Sequence, residues 1–172
     1  MKRIRLAVPA VLVGILALVV IGGATAKKPA LSATPVFKLN LKPSQEVPPI
    51  KGLKADAVGS VTFDLERSAG AIISGEVIFY FNYSFPASVN ITGLHIHQAA
   101  KGVDAPTFVV SSGVSPFTDT DGQGNITTVV TGTAPATLQA ILANPRNYYV
   151  NLHTSVNSGG ALREQMHNPK KR

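Results

Sequence analysis

The sequence predicts an all-β protein, an antiparallel sandwich of immunoglobulin-like or superoxide-dismutase-like shape with one short helix. Three observations carry that expectation. From Val36 onward, short apolar runs recur between clusters of Gly, Pro, Asn and Ser, as strands between turns do. Within several runs apolar and polar residues alternate, the period of a half-buried strand. A single stretch, Ala136–Ala143, breaks this rule, with Leu138, Ile141 and Leu142 at helical spacing.

The elements follow in order. Strands are expected near Phe37–Leu41, Ala57–Leu65, Ile72–Tyr83, Asn90–His97, Thr107–Ser111, Asn125–Gly132, Asn147–Thr154 and Ala161–Met166. Val61, Phe63 and Leu65 alternate with Thr62 and Asp64. The Ile72–Tyr83 run is the longest and becomes apolar on both sides, which predicts a central strand covered on both faces. The helix begins at Thr133 or Pro135 and stops at Asn144-Pro145, since Pro fits a first turn and cannot continue one. It should plug an open end of the sandwich.

The chain opens with Met-Lys-Arg-Ile-Arg, an apolar run from Leu6 to Ile21, and Gly-Gly-Ala-Thr-Ala. This is the pattern of a secretory signal peptide cut after Ala26. The apolar run falls short of the roughly 20 residues of a spanning helix, although retention as an anchor is the alternative. A leader at 27–35, a domain at 36–167 and a basic tail at 168–172 follow, and the product is expected to be secreted, periplasmic or on the cell surface.

The net charge of +7 belongs to the ends. Eight of the sixteen Lys and Arg residues lie in the signal, leader and tail, and the eight left face nine acidic residues. A near-neutral domain with scattered aromatics is not a nucleic-acid binder. There is no cysteine, so disulfide staples, thiolate metal sites and dithiol chemistry are excluded. No later segment is apolar enough to span a bilayer.

Histidines carry the chemical information. His95 and His97 alternate with Leu94 and Ile96, so both imidazoles point to one side of their strand. Tyr149, Asn151 and His153 share one side of the Asn147–Thr154 strand, opposite Tyr148, Val150 and Leu152. If the two strands are neighbours with matched faces, three imidazoles converge, a donor set for copper or zinc. Without a metal, the same rings would form a hydrogen-bonded cluster supporting loops. His167 is a candidate fourth ligand. Glu46, Asn151 and Thr154 are candidates to bond the second ring nitrogens. Arg163 is expected to pair with a carboxylate or to cap loop carbonyls, and Glu46, stiffened by Pro48 and Pro49, is expected to meet Arg163 or a histidine. Ligating imidazoles must be unprotonated, so metal affinity should fall below about pH 6.

Other motifs carry less. Asp119-Thr-Asp-Gly-Gln-Gly-Asn125 begins like a calcium loop, but Val130 stands where the bidentate Glu belongs, and turn chemistry accounts for the rest. Asn82, Asn90 and Asn125 lie in glycosylation acceptor triplets. No nucleophile elbow, phosphate loop or paired-carboxylate motif is present.

Three segments resemble the chordin-type (CHRD) domain in order and spacing. They are Leu41-Lys-Pro-Ser-Gln-Glu-Val-Pro-Pro49 with Gly59-Ser-Val-Thr-Phe-Asp-Leu65, then Gly93-Leu-His-Ile-His-Gln98 leading to the Thr107–Gly113 strand, then Tyr148-Tyr-Val-Asn-Leu-His-Thr154 with Gly159-Gly-Ala-Leu-Arg-Glu-Gln165. They span Val36 to Met166. The family ending Gly-Gly-Glu-Ile-Arg-Gly-Gln is altered here by Ala161 and Glu164, while Arg163 and Gln165 stay in register. The resemblance implies an extracellular β-sandwich of binding type with secreted or cell-envelope protein partners. Over a shorter stretch, His-x-His also resembles the copper strand of copper/zinc superoxide dismutase. The expected function is therefore an exported, non-enzymatic binding domain with a candidate copper or zinc site at His95, His97 and His153. The alternatives are a metal-dependent, dismutase-like enzyme and a structural or protein-interaction module without metal.

Overall fold

A computed structural model describes residues 34–168. The signal peptide, the cleavage after Ala26, most of the leader and residues 169–172 lie outside the described residues. The described residues form nine strands, one α-helix and two short 3-10 turns. The strands are β1 (Val36–Leu41), β2 (Asp56–Ser68), β3 (Ala71–Ser84), β4 (Val89–Gln98), β5 (Phe108–Ser111), β6 (Phe117–Asp119), β7 (Gln123–Val130), β8 (Tyr148–Thr154) and β9 (Leu162–Gln165), and α1 is Pro135–Ala143. No described helix is long and apolar enough to cross a membrane.

Two antiparallel sheets form a sandwich. One runs β1-β2-β3-β7. The other runs β5-β4-β8-β9, with β6 pairing the start of β4. Alternation explains the layers. Phe37, Leu39, Leu41, Val61, Phe63, Val77, Phe79 and Phe81 face inward from the first sheet. They meet Leu94, Ile96, Val150, Leu152 and Leu162 from the second. Phe37 and Phe63 pack edge to face with ring centres 5.5 Å apart, the arrangement the aromatic quadrupole favours. Burying each such side chain contributes roughly 1.5–3 kcal/mol, enough to dispense with disulfides.

β3 is central, as its length implies, but it is not covered on both sides. Ser74, Tyr80, Asn82 and Ser84 are exposed, and only Ile78 is half-buried on that side. The apolar Ile78 and Tyr80 are the ordinary β-propensity of a solvent face. Helix α1 starts with Pro135 in its first turn and buries Leu138 and Ile141, with Leu138 close to Gly75 of β3. Gly75 leaves the room that contact needs. On the β1–β9 side the sheets are joined by a bridge between Lys42 and Arg163 and by the Asn40 amide donating to the Glu164 carboxylate. This junction brings the segment after β1, including Glu46, alongside β8 and β9.

Candidate metal centre

The register of β4 against β8 is what assembles the site. Gly93 pairs with His153, His95 with Asn151, and His97 with Tyr149. Because Leu94, Ile96, Val150 and Leu152 turn into the inter-sheet core, these polar partners share the opposite face. That face is nonetheless largely buried, every residue of β8 included, with His95 of β4 half-buried. Its cover is polypeptide from the 99–107 loop, the segment after β1 and the turn after β8.

The three imidazoles meet there. Ring centres are 4.7 Å apart for His95 and His153, and 5.7 Å for both His95–His97 and His97–His153. One ring nitrogen from each lies within 4.8 Å of the others. His97 Nδ1 is 2.9 Å from the Ala105 carbonyl, and His153 Nδ1 is 2.9 Å from the Ser158 carbonyl. Carbonyls only accept, so both rings carry their proton on Nδ1 and leave Nε2 as a bare lone pair. Those two Nε2 atoms are buried without partners, as is His95 Nδ1. Two buried lone pairs, with a third unpartnered ring nitrogen in the same cluster, are costly unless something engages them.

Electrostatics agree with that donor state. Burial pushes the His95 pKa down to about 4, helped by His153 and His97. His97 and His153 are lowered as well, burial being the main cause and their carbonyl bonds opposing it. All three are neutral at physiological pH. Zn–N bonds of ~2.0–2.1 Å in tetrahedral geometry put ligand nitrogens ~3.3 Å apart, so these rings would draw in by about 1.5 Å at most.

Aromatic and charged side chains fix the rings. Phe108 of β5 stacks on His95 at 4.5 Å and 20°. Tyr149 stacks on His97 at 4.9 Å and 7°. The Arg163 guanidinium lies 3.4 Å from the centre of the Tyr149 ring and donates to the Val103 carbonyl at 2.8 Å. The Tyr149 hydroxyl donates to Asp104 at 3.0 Å, and burial pushes its pKa up to about 12. Gly93 belongs to the same construction, because a Cβ there would lie 2.7 Å from His95 Cε1.

Several expected contacts are placed differently. Glu46 hydrogen-bonds neither a histidine nor the Arg163 fork, although the guanidinium lies near enough to lower its pKa against burial. Asn151 Nδ2 donates to both its oxygens, at 3.3 and 3.2 Å. Asn151 is thereby engaged with Glu46 and bonds no imidazole. Thr154 holds the turn after β8 by accepting from the Asn157 amide and likewise bonds no ring. The second-nitrogen partners are main-chain carbonyls, Ala105 and Ser158, which residue type cannot signal. Arg163 does cap a loop carbonyl, with Asp104 3.9 Å away. His167 is exposed beside Glu164 and lies outside the cluster. In the Asp119 loop, Asp119 Oδ1 accepts from the Asp121 and Gly122 amides, its Oδ2 accepts from the Tyr83 hydroxyl, and Asp121 Oδ1 accepts from the Gln123 amide, so donors of the chain itself engage these carboxylates. Tyr149, Asp104 and Phe108 were not singled out by sequence. Only the position of Tyr149 on the His153 side of β8 hinted at its role.

A sandwich whose polar face gathers three imidazoles under a loop defines a class, a small all-β binding or structural module. The CHRD domain family model matches residues 37–166, and the chain belongs to that family. No curated protein and no solved structure matches it.

Proposed function

We propose that this chain is an exported binding domain whose His95, His97 and His153 hold one Cu²⁺ or Zn²⁺ ion. The observation that carries the reading is the trio of buried, unpartnered ring nitrogens on three neutral imidazoles. Zn²⁺ and Cu²⁺ both favour neutral imidazole nitrogen, and a three-His set leaves one coordination position for water or a ligand. The Nδ1 bonds of His97 and His153 to carbonyls support it further, since metal-bound histidines are oriented in that way. Export rests on the N-terminal pattern of Lys and Arg, apolar run and Ala-Thr-Ala. No motif for covalent catalysis accompanies the histidines, and binding of metal together with an envelope or secreted partner is the activity proposed.

The test is direct. Protein beginning at Lys27 and never exposed to a nickel column is assayed for bound metal and for a melting shift with Cu²⁺ or Zn²⁺. Free metal at 100 times Kd stabilises by about 2.7 kcal/mol, a rise of several degrees for a domain of this size. The His95→Ala/His97→Ala variant should lose the shift. Equal behaviour of variant and wild type would leave the rings as a loop-supporting cluster.

A further inference from the structure

We propose that Glu46 is the buried counter-charge of this site, and that a cation entering the histidine cluster expels the proton of the Glu46 carboxyl group. The inference rests on the metal reading above and adds how the site is regulated by pH. Among the described residues Glu46 is the one carboxylate that is buried, at 6% exposure. Its sole hydrogen-bond donor is Asn151, the cross-strand partner of His95 on one side and of Arg163 on the other. Gly160 shapes the cradle, because a Cβ there would lie 2.8 Å from Glu46 Oε1 and would also strike the Asn151 amide.

Charge balance supplies the rest. Three neutral imidazoles bring no negative charge to a bound dication, and an uncompensated ion in a buried site is strongly disfavoured. The groups facing Glu46 are Arg163 from β9, Asp104 from the 99–107 loop and Asn151 from β8. Burial dominates over Arg163 and leaves the carboxyl titrating at about 7. A nearby cation favours the ionised form. A carboxyl half protonated at pH 7 and fully ionised in the complex releases about 0.5 proton there and about 0.1 at pH 8. The imidazoles, neutral at both values, release none. The site therefore loads more readily as pH rises through 7 and binds about tenfold more weakly in mild acid.

Zn²⁺ is titrated calorimetrically into metal-free protein at pH 7 and 8, in buffers of different ionisation enthalpy. Wild type should release about half a proton at pH 7. Glu46→Gln, which keeps the shape and the Asn151 contact, should release about none and bind about tenfold more weakly at pH 8, converging on wild type below pH 6. Equal proton release in the two proteins overturns the role of Glu46 while leaving the metal site standing. No Zn²⁺ binding by wild type overturns both. Should Glu46→Gln not fold, Glu46→Ala takes its place, because only the difference in proton release between wild type and variant cancels any proton lost from water on the ion.

Discussion

At the scale of single residues, the site works through protonation states that the backbone imposes. The carbonyls of Ala105 and Ser158 fix the tautomers of His97 and His153, and burial keeps all three rings neutral. This bears on the expectation that affinity falls below about pH 6. Proton competition at His95 sets in towards pH 4, and at His97 and His153 below the ordinary imidazole range. Stability of the metal-free protein has opposed contributions. The histidine pKa values are lower folded than unfolded, so their contribution is complete above about 6.5 and is lost as pH falls towards 4. The Glu46 value is raised from 4.5 to about 7, so its contribution is complete below 4.5 and is lost as pH rises through 7. Removing one arm exposes the other. Metal-free Glu46→Gln should gain melting temperature from pH 5 to 7.5 more steeply than wild type, as read by scanning calorimetry. Parallel curves would mean that Glu46 titrates normally.

At the scale of elements, the phase of β4 and β8 was legible and their register was not. Strict alternation in Gly-Leu-His-Ile-His and Tyr-Val-Asn-Leu-His fixes which side chains share a face. Nothing in either run says that Gly93 rather than Ile91 lies opposite His153, because the shift between Ile91 and Gly93 is a backbone irregularity with no period. β6 escaped notice for a related reason: at three residues, Phe117–Asp119 is too short to display alternation. The cover loop supplies Asp104 and the Ala105 carbonyl from aperiodic chain. Glycines give this scale its test. Gly160 has φ of +140°, and a side chain there would enter the Glu46–Asn151 contact, so Gly160→Ala should cost about 2 kcal/mol or more in urea unfolding. Gly93→Ala acts differently. It should displace the His95 ring and weaken Zn²⁺ binding at least tenfold, with the circular dichroism spectrum remaining mainly β. Unchanged affinity would show that His95 has room the geometry does not provide.

At the scale of the whole molecule, two buried layers divide the work. The apolar layer between the sheets supplies cohesion. The polar layer on the far side of β4, β8 and β9 holds orphaned nitrogens, a buried guanidinium and a buried carboxyl, groups that natural proteins keep at functional sites at some cost in stability. Neighbouring positions on β4 separate the layers, because Leu94 and Ile96 face one and His95 and His97 the other. In chelator, Leu94→Ala should lose ~2–5 kcal/mol through the cavity it opens in the core. His97→Leu, one pleat over, removes an unpartnered nitrogen along with the donor to the Ala105 carbonyl, which the Tyr149 hydroxyl, 3.2 Å away, replaces by turning from Asp104. It should stay within about 1 kcal/mol of wild type, the scale of one exchanged hydrogen bond, while its melting shift with Zn²⁺ disappears. The reverse pattern, with His97→Leu costing more than Leu94→Ala, would mean that the polar layer is structural and that the histidines are there to hold the loops.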